Sequence, residues 1–191
     1  LSYYSALREL GINIDFISVN SEFTPYSIII APSLPIIDQA FVDKCKVSSA
    51  QFIFGPRAGA KTSEFGYPAT LPPGLLQQLI PIRILSVETL RADCMEDLWW
   101  NNQQYQSGSW CEQIDAGESE VVARYDNGEP AVVCQNRTIY IGTLTNREFL
   151  LDFFQQACQQ GNIQTYRFGE DIRVCQRGDL MFAFNYSDQP Q

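Results

Sequence analysis

The sequence predicts an α/β fold organised on a parallel sheet, followed by a short β-hairpin tail. Three observations carry that expectation. Helix and strand patterns alternate over residues 1–54 at spacings suited to crossover connections. The run Ser27-Ile28-Ile29-Ile30-Ala31-Pro32 is short, β-branched and closed by proline, as in a strand buried on both faces. Phe149, Leu150, Phe153, Phe154 and Ala157 form one apolar stripe on a helix from Arg147 to Gln160. Burying such side chains contributes roughly 1.5–3 kcal/mol each, so that helix is expected to dock on the sheet.

Each element has a local reason. Tyr3, Tyr4, Leu7 and Leu10 recur at helical spacing and Gly11 follows as a stop. Ile12 to Val19 alternates as a strand does. Asp38 can cap a helix carrying Ala40, Phe41, Val42 and Cys45. Gln51 to Phe54 reads as a strand ended by Gly55, and the Gly- and Pro-rich stretch to Pro73 as a long loop with fixed turns. Pro73 to Ile80 reads as a short helix, and Ile82 to Val87 and Leu98 to Tyr105 as strands. Glu120 to Tyr125, Ala131 to Gln135 and Thr138 to Gly142 are three strands joined by turns at Asp126-Asn127-Gly128 and Asn136-Arg137, where Asn-Gly supplies positive φ. Gly161 closes the last helix. Asp171 to Gln176 and Leu180 to Asn185 flank Arg177-Gly178-Asp179 as a final hairpin.

Composition excludes several functions. The 191 residues carry 13 Lys and Arg against 22 Asp and Glu, a net charge of −9, which disfavours nucleic acid and anionic membranes. Histidine is absent, which removes Ser-His-Asp and Cys-His catalysis and His-ligated zinc. Cys45, Cys94, Cys111, Cys134, Cys158 and Cys175 are scattered without a CxxC pair, as expected of reduced thiols in a cytoplasmic protein. No run approaches the length of a membrane span. The first residue is not Met and falls inside a helical pattern, so the chain is expected to be a piece of a longer product.

Nucleophile chemistry would need a sharp strand-to-helix turn that presents a Ser or Cys. A turn sits in that place, Gly55-Pro56-Arg57-Ala58-Gly59, but its centre is Arg57, whose guanidinium stays protonated and cannot attack. There is no GxGxxG or GxxxxGK[ST] phosphate cradle. Six carboxylates from Glu112 to Glu129 face a single Arg124 and read as a solvated loop and strand edge. The pairs Glu96-Asp97 and Glu112-Asp115 receive no role. Trp99, Trp100, Tyr105 and Trp110 could stack on a sugar face, or serve as core or interface. No catalytic, cofactor-binding or metal-ligating residue is assigned.

Several blocks together resemble a known family. They are Tyr3-Tyr4-Ser5-Ala6-Leu7-Arg8-Glu9-Leu10-Gly11, Ile30-Ala31-Pro32-Ser33-Leu34, and Gly55-Pro56-Arg57-Ala58-Gly59-Ala60-Lys61-Thr62. Leu71-Pro72-Pro73-Gly74-Leu75-Leu76-Gln77, Trp110-Cys111-Glu112, and Ala123-Arg124-Tyr125 through Tyr140-Ile141-Gly142-Thr143 continue the series in order. The chain is similar in them to the middle domain of family-42 glycoside hydrolases, the microbial β-galactosidases. The tail, with Arg177-Gly178-Asp179-Leu180-Met181-Phe182 and Asn185-Tyr186-Ser187-Asp188, resembles the start of that family's C-terminal β-domain.

The resemblance implies a flavodoxin-like three-layer α/β/α sandwich of the class I glutamine amidotransferase kind. It spans residues 1–163 and lacks its first strand, and residues 164–191 begin a second domain. It implies a non-catalytic role in homotrimer assembly. The parent would be a bacterial enzyme that hydrolyses terminal β-D-galactosides with retention, through two glutamates on a (β/α)8 barrel absent here. Relatives have a longer helix and a Gly-Gly turn where this chain has only Lys46-Val47-Ser48-Ser49-Ala50, so that helix is expected to close poorly. The assembly patch is expected within Leu98 to Trp110. A sugar-binding accessory module using Trp99, Trp100, Tyr105 and Trp110 is the alternative.

Overall fold

A computed structural model describes residues 1–91 and 94–189. In chain order the elements begin with helix α1 (Ser2–Glu9), strand β1 (Ile28–Ala31), helix α2 (Gln39–Val47) and strand β2 (Gln51–Phe54). A 3-10 turn (Gly74–Gln78) leads to β3 (Arg83–Glu88), β4 (Glu96–Trp100), β5 (Gln103–Asp115) and β6 (Glu120–Tyr125). Next are β7 (Pro130–Gln135), β8 (Thr138–Ile141), β9 (Thr143–Thr145), helix α3 (Arg147–Gln160), β10 (Ile172–Arg177) and β11 (Leu180–Asn185). They form two compact units, Val19–Asn146 and Leu1–Ser18 with Arg147–Gln191. Among the described residues no helix is long and apolar enough to cross a membrane.

The larger unit holds a mixed sheet in the order β1-β2-β8-β7-β6-β4-β5-β3, with β9 beside β5. Among the named strands of the described residues, parallel pairing is confined to β1 with β2 and β2 with β8; Ile28 stands opposite Gln51, and Phe52 opposite Thr138. The expectation of a parallel sheet therefore holds for one end and fails for the rest. The reason is connection length. The β1-to-β2 crossover contains a helix, as parallel strands require, whereas tight turns make β4 and β5, β6 and β7, and β7 and β8 antiparallel neighbours. One such turn interrupts a stretch that reads as a single strand: Asn101 and Asn102 sit at φ 51° and 61°, so Leu98 to Tyr105 is the end of β4 and the start of β5. Ile12 to Val19 forms no strand, and Phe16 is 84% exposed, because alternation alone does not make a strand where no neighbouring strand supplies a ladder.

Helix α2 begins as its sequence demands: the Asp38 carboxylate accepts the Phe41 N–H at 2.8 Å. It also closes properly, against expectation. Ser48 leaves the helix in an extended conformation, gives its N–H to Lys44 O and accepts the Ala50 N–H on its hydroxyl at 3.1 Å, which replaces the missing glycine turn. The buried ring of Phe41 packs edge-on against Phe23 and Phe54, with centroids 5.7 and 6.2 Å away, and Phe23 meets Phe52 at 5.8 Å. That aromatic core fixes the end of β2, from which the site described below departs.

In the smaller unit, Tyr3 of α1 meets Phe154 of α3 edge-on at 5.4 Å, and Phe149 stacks on Phe153 at 5.3 Å. The left-handed residue after α3 is Asn162 (φ 54°), one position beyond the expected Gly161. Strands β10 and β11 form the expected hairpin and turn at Gly178. Asn13 ties the hairpin to the end of α1 through two bonds with the backbone of Gln176, at 2.9 and 3.2 Å.

Candidate functional site

The turn after β2 is built as an elbow, by contacts that leave no room for side chains. A Cβ on Gly55 would lie 2.0 Å from Pro32 O, and one on Gly59, at φ 65°, would lie 1.9 Å from Pro73 O. Between them Arg57 adopts φ 69°, a left-handed conformation that costs an arginine about 1–2 kcal/mol. A specific partner holds it there. The Arg57 N–H donates to Glu112 Oε1 at 2.9 Å, the Trp110 indole N–H donates to the same oxygen at 3.1 Å, and the Tyr140 hydroxyl donates to Oε2 at 2.7 Å.

Glu112 is 3% exposed, so the solvated edge expected for the acidic stretch is wrong at this residue. Burial pushes its carboxyl above the ordinary value near 4.5, while the bonds from Tyr140, Trp110 and the Arg57 backbone oppose that rise. Residues 110 and 112 are two apart on β5 and therefore share a face, the one sequence signal that links them. The Arg57 side chain is exposed and lies over the Trp110 ring, 5.1 Å from its centroid. The other five carboxylates of the stretch, at 115, 118, 120, 126 and 129, are exposed or half-buried, as expected.

Chemically, the elbow presents a cation where a working hydrolase turn presents a nucleophile. The guanidinium cannot attack, and its neighbouring carboxylate spends its lone pairs on three donors. This arrangement orients an arginine. Among the described residues no group of three or more Cys, Asp or Glu comes together as a metal set.

The four aromatics named from sequence do not make one platform. Trp100 is 6% and Tyr105 4% exposed, with ring centroids 6.1 Å apart, and neither offers a face to a sugar. Trp99 is 41% exposed and donates its indole N–H to Asp126 at 3.1 Å, while Trp110 lies half-buried beneath Arg57. Within the stretch from Leu98 to Trp110, Leu98, Trp100 and Tyr105 are buried, whereas Trp99 and the turn at Asn101 and Asn102 are exposed.

The sequence profile of a family described as "Beta-galactosidase trimerisation domain" matches residues 1–164. The chain is 28% identical over 187 residues to a beta-galactosidase of Thermus thermophilus, covering 98% of this chain and 29% of that protein. It is 30% identical to beta-galactosidase BgaA of a Thermus species, with the same coverage. It therefore spans less than a third of the length of these curated relatives. Among solved structures, beta-galactosidase from the psychrophilic Marinomonas ef1 superposes with a TM-score of 0.94 at 27% identity, over 100% of this chain and 30% of that one. The polyextremophilic enzyme of Halorubrum lacusprofundi superposes with a TM-score of 0.91 at 21% identity, covering 97% and 30%, a likeness of fold.

Proposed function

Because the chain belongs to the beta-galactosidase trimerisation-domain family, we propose that it is the non-catalytic assembly module of a larger β-galactosidase. The observation that carries this reading is the extent of the match: the family profile takes in residues 1–164, while the chain covers only 29% of its curated relatives. The elbow agrees with it. Arg57 occupies the nucleophile position, and with no histidine in the chain no usual base is at hand.

In this reading three copies close a ring, as cyclic symmetry requires, and hold three barrels in fixed relation. The parent hydrolyses terminal β-D-galactosides with retention, through glutamates that lie outside this chain. The parallel β1-β2-β8 group with its α2 crossover supports descent from a flavodoxin-like, amidotransferase-like sandwich. The separate two-stranded sheet of β10 and β11 supports a boundary near 163/164, with 164–191 opening a further β-domain. Six cysteines without a disulfide suit a reducing, cytoplasmic setting.

Sedimentation velocity and a chromogenic galactoside assay test the proposal. The 191-residue chain is expected to self-associate towards a trimer at micromolar concentration and to release no product. A strict monomer at 100 µM, or turnover by this chain, would overturn it. So would a saturable change in tryptophan fluorescence on titration with galactose, which would favour the sugar-binding alternative.

A further inference from the structure

We propose that the Gly55–Pro73 loop is the surface through which one copy of this chain grips another; this rests on the assembly reading above. Loops longer than about 12–15 residues without secondary structure are uncommon inside compact domains and usually have work to do. This one carries only an isolated parallel bridge between Ile36 and Lys61. Along it Phe65 is 68%, Tyr67 84% and Leu71 47% exposed, and Arg57 is exposed as well.

Such display is not looseness. Gly59 and Lys61 give their N–H groups to Leu34 O and Pro35 O at 2.9 Å each, and Thr62 N–H reaches Gly66 O at 3.0 Å. Gly66 N–H returns to the Thr62 hydroxyl at 3.1 Å, and the Lys61 ammonium sits 3.6 Å from the Tyr67 ring centroid. Apolar side chains held in water on a pinned backbone are already ordered for contact, so docking loses little conformational freedom. Arg, Tyr and Phe are also the side chains enriched where protein surfaces meet.

Charge selects the partner. The chain as a whole is at −9, yet this loop holds two cations, Arg57 and Lys61, against one acid, Glu64. A cationic loop on an acidic protein is complementary to the surface of another copy. The elbow prepares Arg57 for that role. The Arg57 Cζ lies 5.1 Å from the Trp110 ring centroid while the side chain stays exposed, so the guanidinium is held at the surface, where it can meet a carboxylate.

Sedimentation velocity of the 191-residue chain tests the assignment, with far-UV circular dichroism as the folding control. The double variant Phe65→Ser/Tyr67→Ser and the single variant Arg57→Ala are each expected to raise the self-dissociation constant at least tenfold. Trp99→Ser, exposed elsewhere, should change it less than twofold. If Arg57→Ala loses its dichroism, the Phe65/Tyr67 pair decides. A parent that associates while this pair associates within twofold of it overturns the loop assignment and leaves the assembly reading standing. A parent that stays monomeric overturns both.

Discussion

The Tyr140 hydroxyl donates to Glu112 Oε2 at 2.7 Å, and the other carboxylate oxygen takes the backbone N–H of Arg57 at 2.9 Å. One buried side chain thus joins β8 and β5 to the elbow, and its protonation bears on stability. Its pKa lies above the ordinary value near 4.5 because burial outweighs the bonds made to it. The native state therefore holds this proton more tightly than the unfolded chain. The resulting stabilisation is complete below pH 4.5 and is lost as pH climbs through the raised native pKa. Glu112→Gln keeps an acceptor for Arg57 and Trp110 and an amide donor for the Tyr140 oxygen. Its urea midpoint, compared with the parent's at pH 4 and pH 8, should move in the variant's favour at the higher pH. A gap that stays constant, or moves the other way, would show that Glu112 does not titrate as described.

Arg147 and Glu9 make the corresponding pair in the smaller unit. Glu9 is 5% exposed and accepts the Arg147 Nε–H at 3.1 Å as well as a second guanidinium N–H. The arginine is about half exposed, so water can partly replace it, and the loss falls below that of a fully buried pair. Arg147→Ala should cost about 1–3 kcal/mol in chemical denaturation. Glu9→Gln/Arg147→Ala should cost less than the two single changes added together. Strict additivity would mean the pair is not coupled.

What could be read from the sequence was whatever local chemistry decides. Asp38 caps α2 with a side chain three residues from its donor, the α3 stripe follows from helical spacing, and Asn127-Gly128 turns a hairpin with its own backbone preference. The position of the elbow was legible for the same reason. Its partners were not. Trp110, Glu112 and Tyr140 converge from β5 and β8 only once the sheet is assembled, and an acid among five solvated acids gives no sign of being the buried one. Ile12 to Val19 failed in the opposite way: its alternation was real, but no neighbouring strand turned it into a ladder. The Asn101-Asn102 turn carried its own signal, two residues that tolerate positive φ, and could have been found.

Two glycines with positive φ should respond very differently to alanine. Gly128, at φ 86°, has open space where a Cβ would stand, with nothing within 4 Å, so Gly128→Ala should cost about 1–2 kcal/mol for the backbone conformation alone. Gly59 adds a Cβ position 1.9 Å from Pro73 O, where backbone must move. Gly59→Ala should therefore exceed about 3 kcal/mol and release the loop that displays Phe65 and Tyr67. Thermal denaturation of both variants checks the ranking, and similar losses would mean that the close approach to Pro73 yields easily.

The thiols offer a test that needs no substitution. Burial pushes Cys45 up to about 12 and Cys158 up to about 11, and Cys111 is buried as well, whereas Cys94 is exposed. Attack requires thiolate and access; Cys45 and Cys158 lack both in the native state, and burial denies access to Cys111. At pH 8 a chromogenic disulfide reagent should label Cys94 at least a hundredfold faster than Cys45, Cys111 or Cys158, with the half-buried Cys134 and Cys175 between them. Peptide mapping by mass spectrometry assigns each rate, and guanidinium should bring all six to one rate. Because labelling of the buried set proceeds through opening of the fold, its rate also reports how often the native state opens. Early labelling of Cys45 would mean that α2 does not shield the thiol in solution as it does in this structure.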